Sequence, residues 1–151
     1  VLTMGATYPD YFAALIPISA PLTLDQSGID KLKNQPMWLI HTKSDATVQP
    51  ENSALPLYKS LISSGATNKW FSYFETATGT DLPGTVYDGH WAWIYFFHDQ
   101  VIGVQHPENT KNWDGYSGMV ATDPTNGGGS RASVNGQTYN SIFDWMSAQR
   151  H

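Results

Sequence analysis

Met37-Trp38-Leu39-Ile40-His41-Thr42-Lys43-Ser44-Asp45 is the stretch on which the fold turns. Its opening residues are apolar without alternation, which suits a strand buried on both faces of a sheet, and Pro36 marks the entry. Polar residues then take over and deliver one acid, Asp45, four residues past the expected strand end at His41. A second segment answers it. Asp88-Gly89-His90-Trp91 lies beyond another apolar run, Trp70-Phe71-Ser72-Tyr73-Phe74, within an expected strand from Lys69 to Glu75. An acid and then a histidine, each beyond the end of a buried strand, is the pairing the remaining sequence has to accommodate.

Outward from these two points the chain alternates. Val1–Tyr8 reads as the end of a helix, and Tyr11–Ile18 as a further buried strand, interrupted by Pro17. Ile29–Lys33 reads as a short helix with Asp25 or Ser27 as its cap. Pro50-Glu51-Asn52 opens another, in which Leu55, Tyr58, Leu61 and Ile62 share a face; Pro56 fits if that helix begins late or bends, and Gly65 stops it. Trp91–Phe97 suits a short packed helix. Tyr139–Gln149 suits an amphipathic one, capped by Asn140 or Ser141, with Ile142, Phe143, Trp145 and Met146 inward. Strands separated by helices imply a parallel sheet, hence an α/β fold. Gly103–Gln137 has no sustained period and is expected to be a long surface insertion.

Composition narrows the function classes. The 151 residues can bury the core of one domain, with no room for two large ones. They are 40% hydrophobic and carry a net charge of −5 with no Lys/Arg cluster, which speaks against a nucleic-acid partner. There is no cysteine for a disulfide framework or thiolate site, and no apolar run of membrane-spanning length. Low charge with abundant Gly, Asn, Ser and Thr leans toward an extracellular protein. The opening at Val1, on a helical run without a cap, suggests the later part of a longer chain.

The acid and histidine have a chemical reading. A serine hydroxyl attacks only when an imidazole takes its proton, and a carboxylate on the far ring nitrogen fixes that imidazole's tautomer. Strand ends along one edge of a parallel sheet can bring the three groups together. Taken singly, Asp45 is better explained as a turn aspartate and His90 as a packed surface histidine; in this order and on these elements, the pair reverses that preference.

Several segments in order carry a resemblance. Tyr8-Pro9-Asp10-Tyr11-Phe12-Ala13-Ala14-Leu15-Ile16-Pro17-Ile18-Ser19, Gln35–His41 with Ser44-Asp45 and Val48–Ser53, Gly89-His90-Trp91-Ala92-Trp93, and Ile142-Phe143-Asp144-Trp145-Met146 together resemble α/β-hydrolase esterases related to prolyl oligopeptidases. The resemblance covers about residues 1–100 and 138–149 and implies the C-terminal half of an α/β-hydrolase fold, all 151 residues forming one partial catalytic domain. It makes Asp45 the acid and His90 the base of a Ser-His-Asp triad cleaving carboxylic esters. No G-x-S-x-G elbow is present; the serine is expected roughly 8–15 residues before Val1, and the chain alone is expected to be inactive. No cofactor or metal is implied.

Other residues compete. Trp91 and Trp93 could line a substrate pocket or simply pack. Asp88 is the rival orienting acid, ranked lower because a residue two positions from His90 tends to point away from its ring. His41 reads as a buried packing histidine. His98, Asp99 and His106 have no diagnostic metal spacing. The expected substrate is a small-molecule ester or an esterified polysaccharide, with a peptidase of the same superfamily as the nearest alternative. A carbohydrate-binding module also fits six tryptophans and eight tyrosines, but would call for a β-sandwich.

Overall fold

The computed structural model describes residues 1–79, 82–105 and 126–150. Its centre is a parallel pair, β1 (Met37–Thr42) and β2 (Lys69–Phe74), in register from Met37 opposite Lys69 to Thr42 opposite Phe74. Every residue of both strands is buried. Alternate side chains enter two different cores, as the two-residue period of a strand requires. Met37, Leu39, Phe71 and Tyr73 pack with Leu2, Ile29, Leu32, Leu57, Tyr58 and Leu61, which come from α1 (Leu2–Thr7), α2 (Gln26–Lys31), the turn after it, and α3 (Ala54–Ser63). Trp38, Ile40, Trp70 and Phe74 pack on the other side with Tyr95, Val101, Val104, Ile142 and Trp145. That second layer includes α4 (Trp93–Phe97) and α5 (Ile142–Ser147). Helices over both faces explain why the strands read as continuous apolar runs.

The segment read as a strand over Tyr11–Ile18 is a broken one. Leu15 N–H donates to the Pro36 carbonyl (2.9 Å), Trp38 N–H to Leu15 (3.0 Å), Ile40 N–H to Pro17 (3.0 Å) and Ser19 N–H to Ile40 (2.9 Å). The parallel ladder is complete except where Pro17 has no hydrogen to give, so two isolated bridges, Leu15 with Met37 and Ile18 with Ile40, replace a strand.

The helices differ in detail from their sequence reading. Asp25 is the cap of α2, its Oδ1 accepting from Gly28 N–H at 2.9 Å. Pro50–Asn52 forms a 3-10 turn and α3 starts only at Ala54, so Pro56 falls in the first turn, where no intrahelical N–H is required. The chain leaves α3 through Gly65 N–H to Ile62 and Ala66 N–H to Leu61, which closes the last carbonyls. Ser141 caps α5. On α5, Ile142 and Trp145 are buried as expected and Phe143 packs partly, but Met146 is exposed.

Residues 103–137, expected as a surface insertion, are not superficial at their described ends. The outer edge of β2 offers the Phe71 carbonyl and the Tyr73 N–H, and a buried edge needs partners for both. Gln105 N–H fills the first and the Gly127 carbonyl the second, each at 2.8 Å, while Val104 and Ser130 exchange two bonds of 3.0 Å. Residues 106–125 of that stretch lie outside the described residues. Two small hairpins went unread in the sequence: β3 (Ala77–Thr78) with β4 (Val86–Tyr87), and β5 (Ser133–Val134) with β6 (Gln137–Thr138). The second turns on Asn135-Gly136, both at positive φ (52° and 82°), a strong short hairpin signal. Among the described residues no helix is long and apolar enough to cross a membrane.

Candidate active site

The β1–β2 ladder continues past the strands. Lys43 N–H donates to Phe74 (2.8 Å) and Ser44 N–H to Glu75 (3.2 Å), so the chain is held straight until just before Asp45. There it turns back. Asp45 Oδ1 accepts from the N–H groups of Thr47 (3.0 Å) and Val48 (2.8 Å), an aspartate turn that fixes the carboxylate by its own loop. The side chain is wholly buried, and its Oδ2 is left for other donors.

One of these is His90. Its Nδ1 stands 3.0 Å from Asp45 Oδ2, and 30% of its side chain is exposed. The histidine sits in a 3-10 turn, Gly89–Trp91, whose position is fixed at several points. Thr42, the last residue of β1, donates its hydroxyl to the Gly89 carbonyl at 2.6 Å. A Cβ at Gly89 would overlap the Ser44 carbonyl and the Asp45 amide nitrogen, so only glycine lets the two loops approach this closely. Before the turn lies the β3–β4 hairpin; after it, Tyr95 of α4 ties back by accepting from Thr78 N–H (2.7 Å) and donating to the Thr76 carbonyl (2.8 Å).

The rival acid has a different task. Asp88 Oδ1 accepts from the His90 backbone N–H at 2.9 Å, capping the turn. It orients the backbone of the histidine loop, and Asp45 touches the ring.

The residue that sequence reading underrated is His41. It is buried in β1, and its Nε2 lies 2.7 Å from the Val48 carbonyl and 3.2 Å from the same Asp45 Oδ2 that meets His90. Burial lowers its pKa, more than the Val48 carbonyl and the Asp45 charge raise it, so the ring is neutral at ordinary pH. Both neighbours of Nε2 are acceptors, which places the single ring proton there and leaves Nδ1 bare. Nδ1 has no partner. The only clue in the sequence is the four-residue spacing from His41 to Asp45, and it carries no meaning until the loop folds back.

The aromatic residues form an open cluster beside His90. Trp93 meets the His90 ring edge-on at 5.8 Å, Trp91 lies 6.0 Å from Trp93 and 5.6 Å from Tyr87, and Trp91 is 43% exposed. The structure thus brings Asp45, His90 and Trp93 together, with Trp91 one ring further out. His98 and Asp99 are exposed. Among the described residues no group of three or more His, Asp or Glu could hold a metal ion; His106 lies outside them.

Chemically, a buried carboxylate with fixed donors can hold an imidazole in the tautomer that carries hydrogen on Nδ1. That leaves Nε2 as the basic atom, on a ring with partial access to solvent. Among solved structures, the chain is similar to one described as a thermostable esterase: 28% identity, 65% of this chain and 24% of that chain covered, TM-score 0.53. It therefore corresponds to about a quarter of that protein's length. No family model and no curated protein matches. The mixed α/β arrangement, a small parallel sheet between helices, is in part esterase-like.

Proposed function

We infer that this chain contributes the acid and the base of a serine esterase: Asp45 orients His90, and His90 Nε2 takes the proton of a serine that attacks a carboxylic ester. One observation carries this reading, the 3.0 Å contact from the ring nitrogen of a partly exposed histidine to a buried carboxylate at the C-terminal edge of a parallel sheet. Likeness to an esterase supports it. In the order acid then histidine, such triads draw their serine from an earlier G-x-S-x-G elbow, a motif these 151 residues do not contain; the serine is assigned to the full-length protein.

In the reaction His90 would act twice. It removes the serine proton as the carbonyl is attacked, and the resulting imidazolium is stabilised by Asp45. It then returns that proton to the leaving alkoxide, and the same steps with water release the acid. Trp93 meets the His90 ring and Trp91 lies beside Trp93, and we assign both to substrate contact. A small-molecule ester or an esterified polysaccharide is the substrate class we assign to this open aromatic surface. The binding-module alternative loses its structural ground, because the central strands are parallel and covered by helices.

The test is kcat/KM on a short-chain aryl ester, measured on the full-length protein. His90→Ala should lower it by on the order of 10²–10⁴ without shifting the thermal melt, and Asp88→Asn should cost far less. Unchanged activity in folded His90→Ala would end the assignment. A collapse in Asp88→Asn with an active Asp45→Asn would move the acid's role to Asp88.

A further inference from the structure

We propose that His41 is a positioning residue for the acid: its Nε2–H, donated to the Val48 carbonyl, pins the turn whose amides hold Asp45 Oδ1 and so keeps the carboxylate in the orientation that meets His90. The inference rests on the esterase reading above and adds a fourth member to its constellation.

The geometry is a closed loop of contacts. Val48 N–H donates to Asp45 Oδ1 at 2.8 Å, the Val48 carbonyl accepts from His41 Nε2 at 2.7 Å, and the same Nε2 lies 3.2 Å from Asp45 Oδ2. Backbone amides therefore hold one oxygen of the carboxylate, and His90 holds the other. A carboxylate pinned at one oxygen can still rock about its χ2 torsion, which is broad for aspartate. Tying that turn through the Val48 carbonyl to a strand residue narrows that freedom. The strand is the right mount: β1 is paired on both edges and His41 is fully buried. The arrangement also explains a buried histidine in an otherwise apolar strand, where a Leu or Val would pack without leaving Nδ1 unpartnered.

A neutral donor suits this task better than a cation. A lysine or arginine at His41 would neutralise Asp45 and weaken its hold on the imidazolium that forms at His90. The neutral N–H holds the turn through Val48 and leaves the carboxylate's charge to act on His90. The role is positional, since His41 is enclosed and reaches the reacting atoms only through Asp45.

The experiment compares three variants in the full-length protein. His41→Gln places an amide N–H at about the reach of Nε2; His41→Asn carries the same group one methylene short; His41→Phe keeps the ring without the donor. Misplacing a catalytic group by about 1 Å can cost about 10²-fold, so His41→Asn and His41→Phe should lower kcat by roughly 10–100-fold with KM within about twofold. His41→Gln should recover most of that loss. The second readout is the downfield proton resonance of His90 Nδ1–H in its bond to Asp45, observed at low pH. It should persist in His41→Gln and be lost or moved upfield in His41→Asn. Wild-type kcat in folded His41→Asn, or equal loss in the Asn and Gln variants, would overturn the proposal. An intact resonance in His41→Asn would do the same even if the esterase reading failed, so the two ideas are judged separately.

Discussion

The two ends of the β1–β2 pair both bury polar groups, and they use them in opposite ways. At the N-terminal end, Asn68 accepts from the indole N–H groups of Trp70 (2.9 Å) and Trp145 (2.8 Å), and its amide donates to Gln149 at 2.9 Å. Beside it Lys69, only 2% exposed, donates to the carbonyls of Lys33 (2.9 Å) and Thr67 (3.0 Å). Every bond there ends on a backbone carbonyl, an indole or an amide, and the set ties α5 to the sheet. At the C-terminal end the donors converge on one carboxylate, and the network opens onto the partly exposed ring of His90. The first network is spent on holding the layers together. The second holds His90 in place, and in the proposed reaction a proton leaves through that ring.

That contrast can be broken by substitution. Asp45→Asn should reduce kcat/KM by on the order of 10²–10⁴ while leaving the melting temperature close to wild type, because the amide still fills the site. Adding His90→Ala should cost little more, since members of such a unit do not act independently. A large loss of stability without loss of activity would show that this end, too, is only structural. Next in size, Asn68→Ala should cost about 3 kcal/mol by denaturant titration, because two buried indole donors lose their acceptor and alanine tolerates φ of 53° poorly. Activity per folded molecule should stay near wild type.

Lys69 sharpens the comparison through pH. Burial lowers its pKa from 10.5 to about 8. Between those values the unfolded chain holds a proton that the folded one has released, so stability should rise with pH, on the order of 1–2 kcal/mol from pH 8 to pH 10. Above about pH 10 the trend should reverse, since burial raises the pKa of Tyr58 and Tyr73 and only their unfolded forms ionise. Denaturant midpoints across pH 7–11 check both limbs, and Lys69→Met should flatten the first. The smallest effect belongs to the open aromatic cluster. Trp91→Ala should raise KM severalfold, about 1 kcal/mol, with kcat and melting temperature unchanged; a shift in kcat alone would place Trp91 in orientation of His90 instead.

Much of the frame is legible in the residues themselves. β1 and β2 announce themselves by apolar runs too continuous for a half-exposed strand, and α3 by Leu55, Tyr58 and Leu61 at helical spacing. The Asp45–His90 contact follows once both are placed beyond their strand ends. Hydrophobicity is a poorer guide where a backbone group decides. The run at 11–18 is apolar enough for a strand, yet the missing N–H of Pro17 leaves only bridges. Strands of two residues, as in β3 and β4, are too short to show a period. Asn135-Gly136 was readable, but it lay in a stretch whose composition read as loop throughout. His41 is the instructive case: its burial was evident and its partner was not, because a turn three residues past β1 brings that partner back.

The covering of the β2 edge has a consequence for association. Gln105 and Gly127 meet the strand two residues apart, at Phe71 and Tyr73, and Gln105 also donates its side-chain amide to the Gly127 carbonyl at 2.9 Å. The chain therefore meets the β2 edge at 105 and again at 127 on one clamped base. The clamp also closes the β2 edge, so the sheet does not offer those backbone groups for pairing with another chain.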